Sequence, residues 1–285
     1  MSGFDDLFTR KPFDREAWGH RKQAERKEVY ALVDTTAASI VADGSKFRQF
    51  LDTQAKFSRY SAANALLIFA QMPQATQLKS FEHWRSGGVS IKRSQKGISI
   101  LEPGKSYARE DGSTGTSYNV KKVFDISQTN ARNKAAPIVQ HDERKLIRAL
   151  IHKAPIAIET VESIEGGVGA FYDHDRDAIL VRKGMSAPDI FRSVSKELAH
   201  AELAGGKEDY ERGRAAFTAY CVSYLLCRQH GVDVSGYDFS QLPLELRLDD
   251  PQGVRAILTE IRDTADQISL RMQRVLSPKD KEQGR

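Results

Sequence analysis

Residues 195–203 read SKELAHAEL, and Glu197 and His200 fill two of the three fixed places of the pattern H-E-x-x-H. Residues four apart on a helix share a face. In that pattern two imidazoles ligate a zinc ion, and the Glu takes the proton of the metal-bound water. Here the first imidazole is replaced by Lys196. A lysine ligates only when neutral, and removing its proton at pH 7 costs about 4.6 kcal/mol. The expected state of Lys196 is an ammonium, which repels zinc. Glu197 thus occupies a vestigial general-base position and His200 a vestigial ligand position. Three readings follow. Glu197 and His200 are polar residues on a helix whose core face is Ile190, Val194, Leu198 and Ala201; or they keep a residual metal; or Lys196 pairs with a neighbouring acid where the metal charge would stand. His174 with Asp173 and Asp175 also groups ligand types, but in a strand turn, where acids are common without metal.

A second set of residues suits a polyanion. Residues 1–140 carry 22 Lys/Arg against 14 Asp/Glu, and the remainder 21 against 24. Between Lys46 and Lys96 nine basic residues face two acidic ones, Asp52 and Glu82. Binders of single strands combine a cationic groove with groups on which bases stack. Arg59 and Tyr60 precede one helix, Trp84 sits in another, and Lys92, Arg93 and Lys96 share a turn with Gly97, which could let a phosphate approach the backbone. Asn64, one turn beyond Tyr60, could donate to a base edge or a phosphate. The alternative is that Phe57, Phe69, Phe81 and Trp84 are core aromatics and the cations only solvate the surface. No helix-turn-helix, zinc-finger or RNP pattern is present.

The elements that must position these residues are α+β. Helical periodicity runs from about Asp14 through residue 43, then over 46–57 and from Ser61 to Pro73, with a turn or two at 80–88. The period then changes to two in VSIKR (89–93), GISILEP (97–103) and SYNVKKVFDIS (117–127), which read as strands. Polar, aperiodic residues at 128–137, QTNARNKAAP, read as a linker or boundary. A helix near 141–152 follows, then strands at 156–159, 170–174 and 178–182. Further helices cover 187–204, 209–230 and 251–276. No apolar run could span a bilayer, and the mixed, charged start MSGFDDLFTRKPFDRE is no secretory signal, so the expectation is a cytoplasmic protein with no membrane partner. Cys221 and Cys227 lie six apart in one predicted helix, about 9 Å in rise, too far for a disulfide.

The order strand–turn–strand–helix, with FRSVSKELAHAEL as the helix, resembles ImmA/IrrE-type metallopeptidase domains. The chain as a whole resembles ArdC-type antirestriction proteins of conjugative plasmids and integrative elements. The N-terminal likeness rests on RYSAANALLIFAQ, FEHWRSGGVSIKRSQKGISILEP and YNVKKVFDISQT, the C-terminal likeness on KELAHAEL and AAFTAYCVSYLLCRQHGVD. In the family the helix begins H-E-L, and a Glu from the next helix completes the zinc site. Aligned on Ala219-Tyr220, that Glu falls on Ala216. The nearby acids Glu208, Asp209 and Glu211 do not restore the first imidazole. The resemblance implies a helical/β single-stranded-DNA-binding domain over 1–130, a linker at 131–140, a catalytically degenerate zincin-like domain over 141–276 and a disordered tail at 277–285. It implies a sequence-independent single-stranded DNA binder serving a mobile element, with no cofactor and with a restriction enzyme or another host protein as a second candidate partner. The competing expectation is a zinc-dependent peptidase recruited to DNA, using Glu197 as base and an unusual ligand set. On this alignment, Lys196→His with Ala216→Glu should rebuild a zinc site.

Overall fold

A computed structural model of the chain describes residues 14–109, 112–131 and 142–277. The expected linker and tail therefore lie almost wholly outside the described residues. Helix α1 (Arg15–Val41) starts where the Asp14 carboxylate accepts the Ala17 N–H. Its polar first half is exposed, and Val29, Val33, Ala37, Ile40 and Val41 bury one stripe of the second half. Helix α2 (Gly44–Lys56) is capped by Asp43. Gly44 opens it rather than only breaking α1: a Cβ there would stand 1.7 Å from the Phe239 carbonyl oxygen. Ser61 caps α3 (Ala62–Gln71), and Ser80 caps the short α4 (Phe81–Ser86).

A three-stranded sheet of order β1-β3-β2 follows, made of β1 (Leu78–Ser80), β2 (Ile98–Ala108) and β3 (Thr114–Asp125), all neighbours antiparallel. The expected strand at 89–93 is absent apart from one bridge, Ile91 to Thr129. Its partner segment turns as a 3-10 helix at Ile126–Gln128 and cannot continue a ladder. The outer edge of β2 is closed by α3 at Ser99 and Leu101. Asn64 donates to the Leu101 carbonyl (2.8 Å) and accepts the Leu101 N–H (2.7 Å). Seven residues on, Gln71 does the same for Ser99, at 3.0 and 2.9 Å. Two side-chain amides on one helix face thus stand in for a neighbouring strand.

In the second half, β4 (Ala157–Val161), β5 (Ala170–Asp173) and β6 (Ala178–Arg182) form a sheet of order β4-β6-β5, with β4 parallel and β5 antiparallel to β6. Helix α5 (Glu143–Ile151) precedes it. Then come α6 (Ala187–Ala204), α7 (Arg212–His230), the short α8 (Leu244–Leu248) and α9 (Pro251–Leu276). Ser186 caps α6, Pro188 sits in its first turn, and Gly205 ends it in the left-handed conformation. One apolar cluster runs through both halves: Phe47 of α2 meets Phe217 of α7 and Phe239, and Ile40 of α1 and Leu66 of α3 share a core with Ile261 and Ile268 of α9. Cys221 and Cys227 are buried in it as free thiols, held protonated by burial.

Candidate functional site

Helix α6 lies against the edge strand β5, and the contact is made by Glu197. Its carboxylate is completely buried and accepts the Tyr172 backbone N–H at 2.9 Å. Arg212, the first residue of α7, reaches both carboxylate oxygens through one nitrogen, at 2.7 and 3.0 Å. Lys196, half-exposed, brings its ammonium to 3.5 Å of Oε1. The Arg212 guanidinium lies 4.6 Å over the Phe171 ring, a cation–π contact that fixes its plane. The Glu197 oxygens are thus occupied by two cations and a peptide N–H, a set that satisfies a buried carboxylate.

His200, one turn along, is buried and shares a hydrogen bond of 2.6 Å between Nδ1 and the Tyr210 hydroxyl. Burial first, then the charges of Arg212 and Lys196, lowers its pKa from 6.5 to about 3. Burial also pushes the Tyr210 hydroxyl up to about 12. His174, the other imidazole nearby, stands 5.3 Å from the Tyr210 ring and contacts the Tyr172 hydroxyl at 3.2 Å. Val194, Leu198 and Ala201 lie in the core, as the packed-helix reading expects, and Ile190 is partly buried.

This donor set does not fit a catalytic metal. Among the described residues no group of three or more His, Cys, Asp or Glu side chains could hold one. Ala216 is exposed and offers no ligand; Glu208, Asp209 and Glu211 are exposed too. Two fixed cations meet at the carboxylate that would face the ion. Of the three sequence readings, the ion pair comes nearest, but Arg212 rather than Lys196 makes its closest contacts. Arg212 was not singled out in the sequence. It lies four residues before Ala216 on the same helix, so an arginine one turn from a lost ligand position was the available signal.

The residues proposed for DNA fall into two groups. Lys92, Arg93 and Lys96 are exposed on one turn, and Arg59 is exposed before α3. The turn is held from behind: Lys92 Nζ donates to the Ser127 carbonyl at 2.9 Å, and Gln128 donates to the Lys96 carbonyl at 2.8 Å. Gly97 is needed inside the protein rather than for a phosphate, since a Cβ there would meet Lys122 and Phe124 at 3.0 Å. Tyr60 is half-buried and Asn64 buried, and both line an open cleft of about 720 Å³. The Asn64 amide is engaged by Leu101, which removes it as a base-reading donor. Trp84 is buried, its indole N–H donates to the Phe124 carbonyl at 2.9 Å, and the Lys79 ammonium sits 4.7 Å over its ring. That placement makes Trp84 an anchor of α4 and leaves no ring face for stacking.

No family model matches the chain. Two solved structures of the antirestriction protein ArdC from plasmid R388 superpose on it. The Mn(II)-bound one gives a TM-score of 0.54 at 17% identity, covering 85% of this chain and 98% of that one. The metal-free one gives 0.52 at 17% identity, covering 75% and 85%. The chain has the ArdC fold. An uncharacterized Bacillus anthracis protein, pXO2-81, is 23% identical over 80% of this chain. The chain spans about half of that relative's length, 47%. Among the described residues no helix is long and apolar enough to cross a membrane.

Proposed function

We propose that the protein is an antirestriction-like factor of a mobile element that binds single-stranded DNA without sequence preference. In this reading the ArdC fold carries the DNA surface on α2–α4 and the β1-β3-β2 sheet, while the peptidase-like half serves as a scaffold without hydrolytic chemistry. The observation that carries it is electrostatic. Among the described residues, none of the nine cations between Lys46 and Lys96 lies within 4.0 Å of a carboxylate. In the second half, by contrast, ten of the eighteen described Lys and Arg residues pair, among them Arg176, Arg192, Arg212 and Arg271. Cations left without acidic partners gain from a polyanion that releases its counterions on binding. The competing peptidase reading has no support in the geometry, because a general base needs a free lone pair aimed at water and both Glu197 oxygens are engaged.

Fluorescence anisotropy of the full chain with labelled oligonucleotides tests this reading. Two unrelated single-stranded sequences should bind alike, with log affinity falling by about 0.7 per phosphate contact for each unit of log salt. Replacing Arg59, Lys92, Arg93 and Lys96 by Ala should weaken binding and flatten that slope. Absence of binding at low salt would refute the reading. The antirestriction part is tested by conjugation: expressing the protein should raise transfer into a restricting recipient and leave transfer into a non-restricting one unchanged.

A further inference from the structure

The open cleft of about 720 Å³ in the N-terminal half is lined among others by Tyr60, Lys79, His83, Ile100, Pro103 and Lys121. Its volume falls in the range of small-molecule sites, about 300–1,000 Å³. The strand side is apolar, with Ile100 and Leu101 buried. Tyr60 enters from the α3 side, held by an edge contact to Phe57 at 5.9 Å between ring centres. Two ammonium groups border the space. Lys79 is steadied over the Trp84 ring, and Lys121 by Glu102 at 2.5 Å. Glu102 is the lining carboxylate, and it is already paired.

We propose that this cleft receives one unstacked nucleobase of a bound DNA strand, with the Tyr60 ring as its stacking partner and Lys79 and Lys121 beside the flanking phosphates. The inference rests on the single-strand reading above and adds a site to it. Three features point to a base. The apolar strand side with an aromatic entrant suits a planar ring, and the cationic border suits the phosphates on either side of it. The third feature is the closed stretch of the β2 edge beside α3. The Leu101 N–H and C=O, which border the cleft, are taken by Asn64, and those of Ser99 by Gln71. A peptide therefore cannot add as a strand to β2 at Ser99 and Leu101. The same engagement removes the Asn64 amide from base reading, so the site would hold any base by its face and give little sequence preference.

The test compares Tyr60→Leu and Tyr60→Trp with the unaltered full chain, on a thymidine oligonucleotide and on the same backbone with abasic sites. On the thymidine strand Tyr60→Leu should weaken binding about 5- to 150-fold, the range of one stacked base, and Tyr60→Trp should bind as the parent does. On the abasic strand all three should bind equally weakly, with the salt slope unchanged. Lys79→Ala with Lys121→Ala should instead reduce the slope by about 1.4, two contacts on a single strand. The inference is overturned if Tyr60→Leu remains folded by circular dichroism and binds the thymidine strand like the parent. In that case single-strand binding stands and only the cleft is wrong. It is also overturned if an acidic peptide displaces the oligonucleotide in a Tyr60-dependent way, which would assign the cleft to a protein partner. If the parent binds neither strand, the single-strand reading itself fails.

Discussion

Glu197 and the stretch from Lys46 to Lys96 treat charge in opposite ways. At Glu197 one buried carboxylate is surrounded by Arg212, Lys196 and the Tyr172 N–H, and His200 beside it is held neutral. Between Lys46 and Lys96 the cations are left without acidic partners, and Lys79 among them borders an open cleft. A closed set of charges is a structural device, because both Glu197 oxygens already have what a ligand would supply. An open set is where a ligand still has something to add. The proposed binding surface therefore lies in the first half, although the remnant of the H-E-x-x-H pattern lies in the second.

The largest expected effect is on the closed side. Arg212→Ala should leave the Glu197 charge buried and short of a partner, costing about 3 kcal/mol in urea unfolding. Adding Glu197→Gln removes the charge, keeps an acceptor for the Tyr172 N–H and should recover most of the loss. A cost under about 1 kcal/mol for the single change would mean that Lys196 alone closes the site.

Acid should open the same site. His200 has its folded pKa depressed from 6.5 to about 3, so the unfolded chain takes up a proton that the folded chain refuses. Its contribution is fully present above pH 6.5 and is lost progressively as pH falls towards 3. By pH 5 the loss is about 2 kcal/mol. Stability measured from pH 7 to pH 5 should fall less steeply in His200→Gln than in the parent.

On the open side, Asn64→Ala strands the Leu101 N–H and C=O and should cost about 1–3 kcal/mol. The Leu101 amide should then exchange with deuterium faster than its neighbours in β3. Gln71→Ala, at a half-buried position, should cost less. An equal loss from both would mean that the two amides act as one unit.

The smallest expected effect bears on the zinc site expected from the sequence. Lys196→His with Ala216→Glu should bind no zinc in a calorimetric titration, because the Arg212 cation remains at Glu197. Only with Arg212→Gln added should binding appear. Zinc bound by the double change alone would show that Arg212 moves aside easily.

Fragments blur the comparison, since Phe47 and Ile40 pack on residues of the second half. Residues 1–130 alone would expose that face, so these measurements use the whole chain.

Much of this molecule is local in origin and was legible in the sequence. Ser61, Pro188 and Gly205 mark helix boundaries because caps act within a few residues of themselves. The limits of α6 and α9, the pair β5 and β6, and the core face of α6 follow from periodicities of 3.6 and 2. The loss of the first imidazole at Lys196 is equally plain, being one letter in a fixed spacing. Tertiary structure alone decided where the long-range partners fall. Arg212 meets Glu197 across 15 residues, and Asn64 meets Leu101 across 37. Neither separation has a period, and each pair forms only after α6 has docked on β5 or α3 on β2. The strand expected at 89–93 failed for the same reason: its pattern alternates, but a strand also needs a straight partner, and the chain at Ile126–Gln128 turns away. Burial decided the rest: of the two readings open for Trp84 it favours the core aromatic, and it closes the Asn64 amide on Leu101.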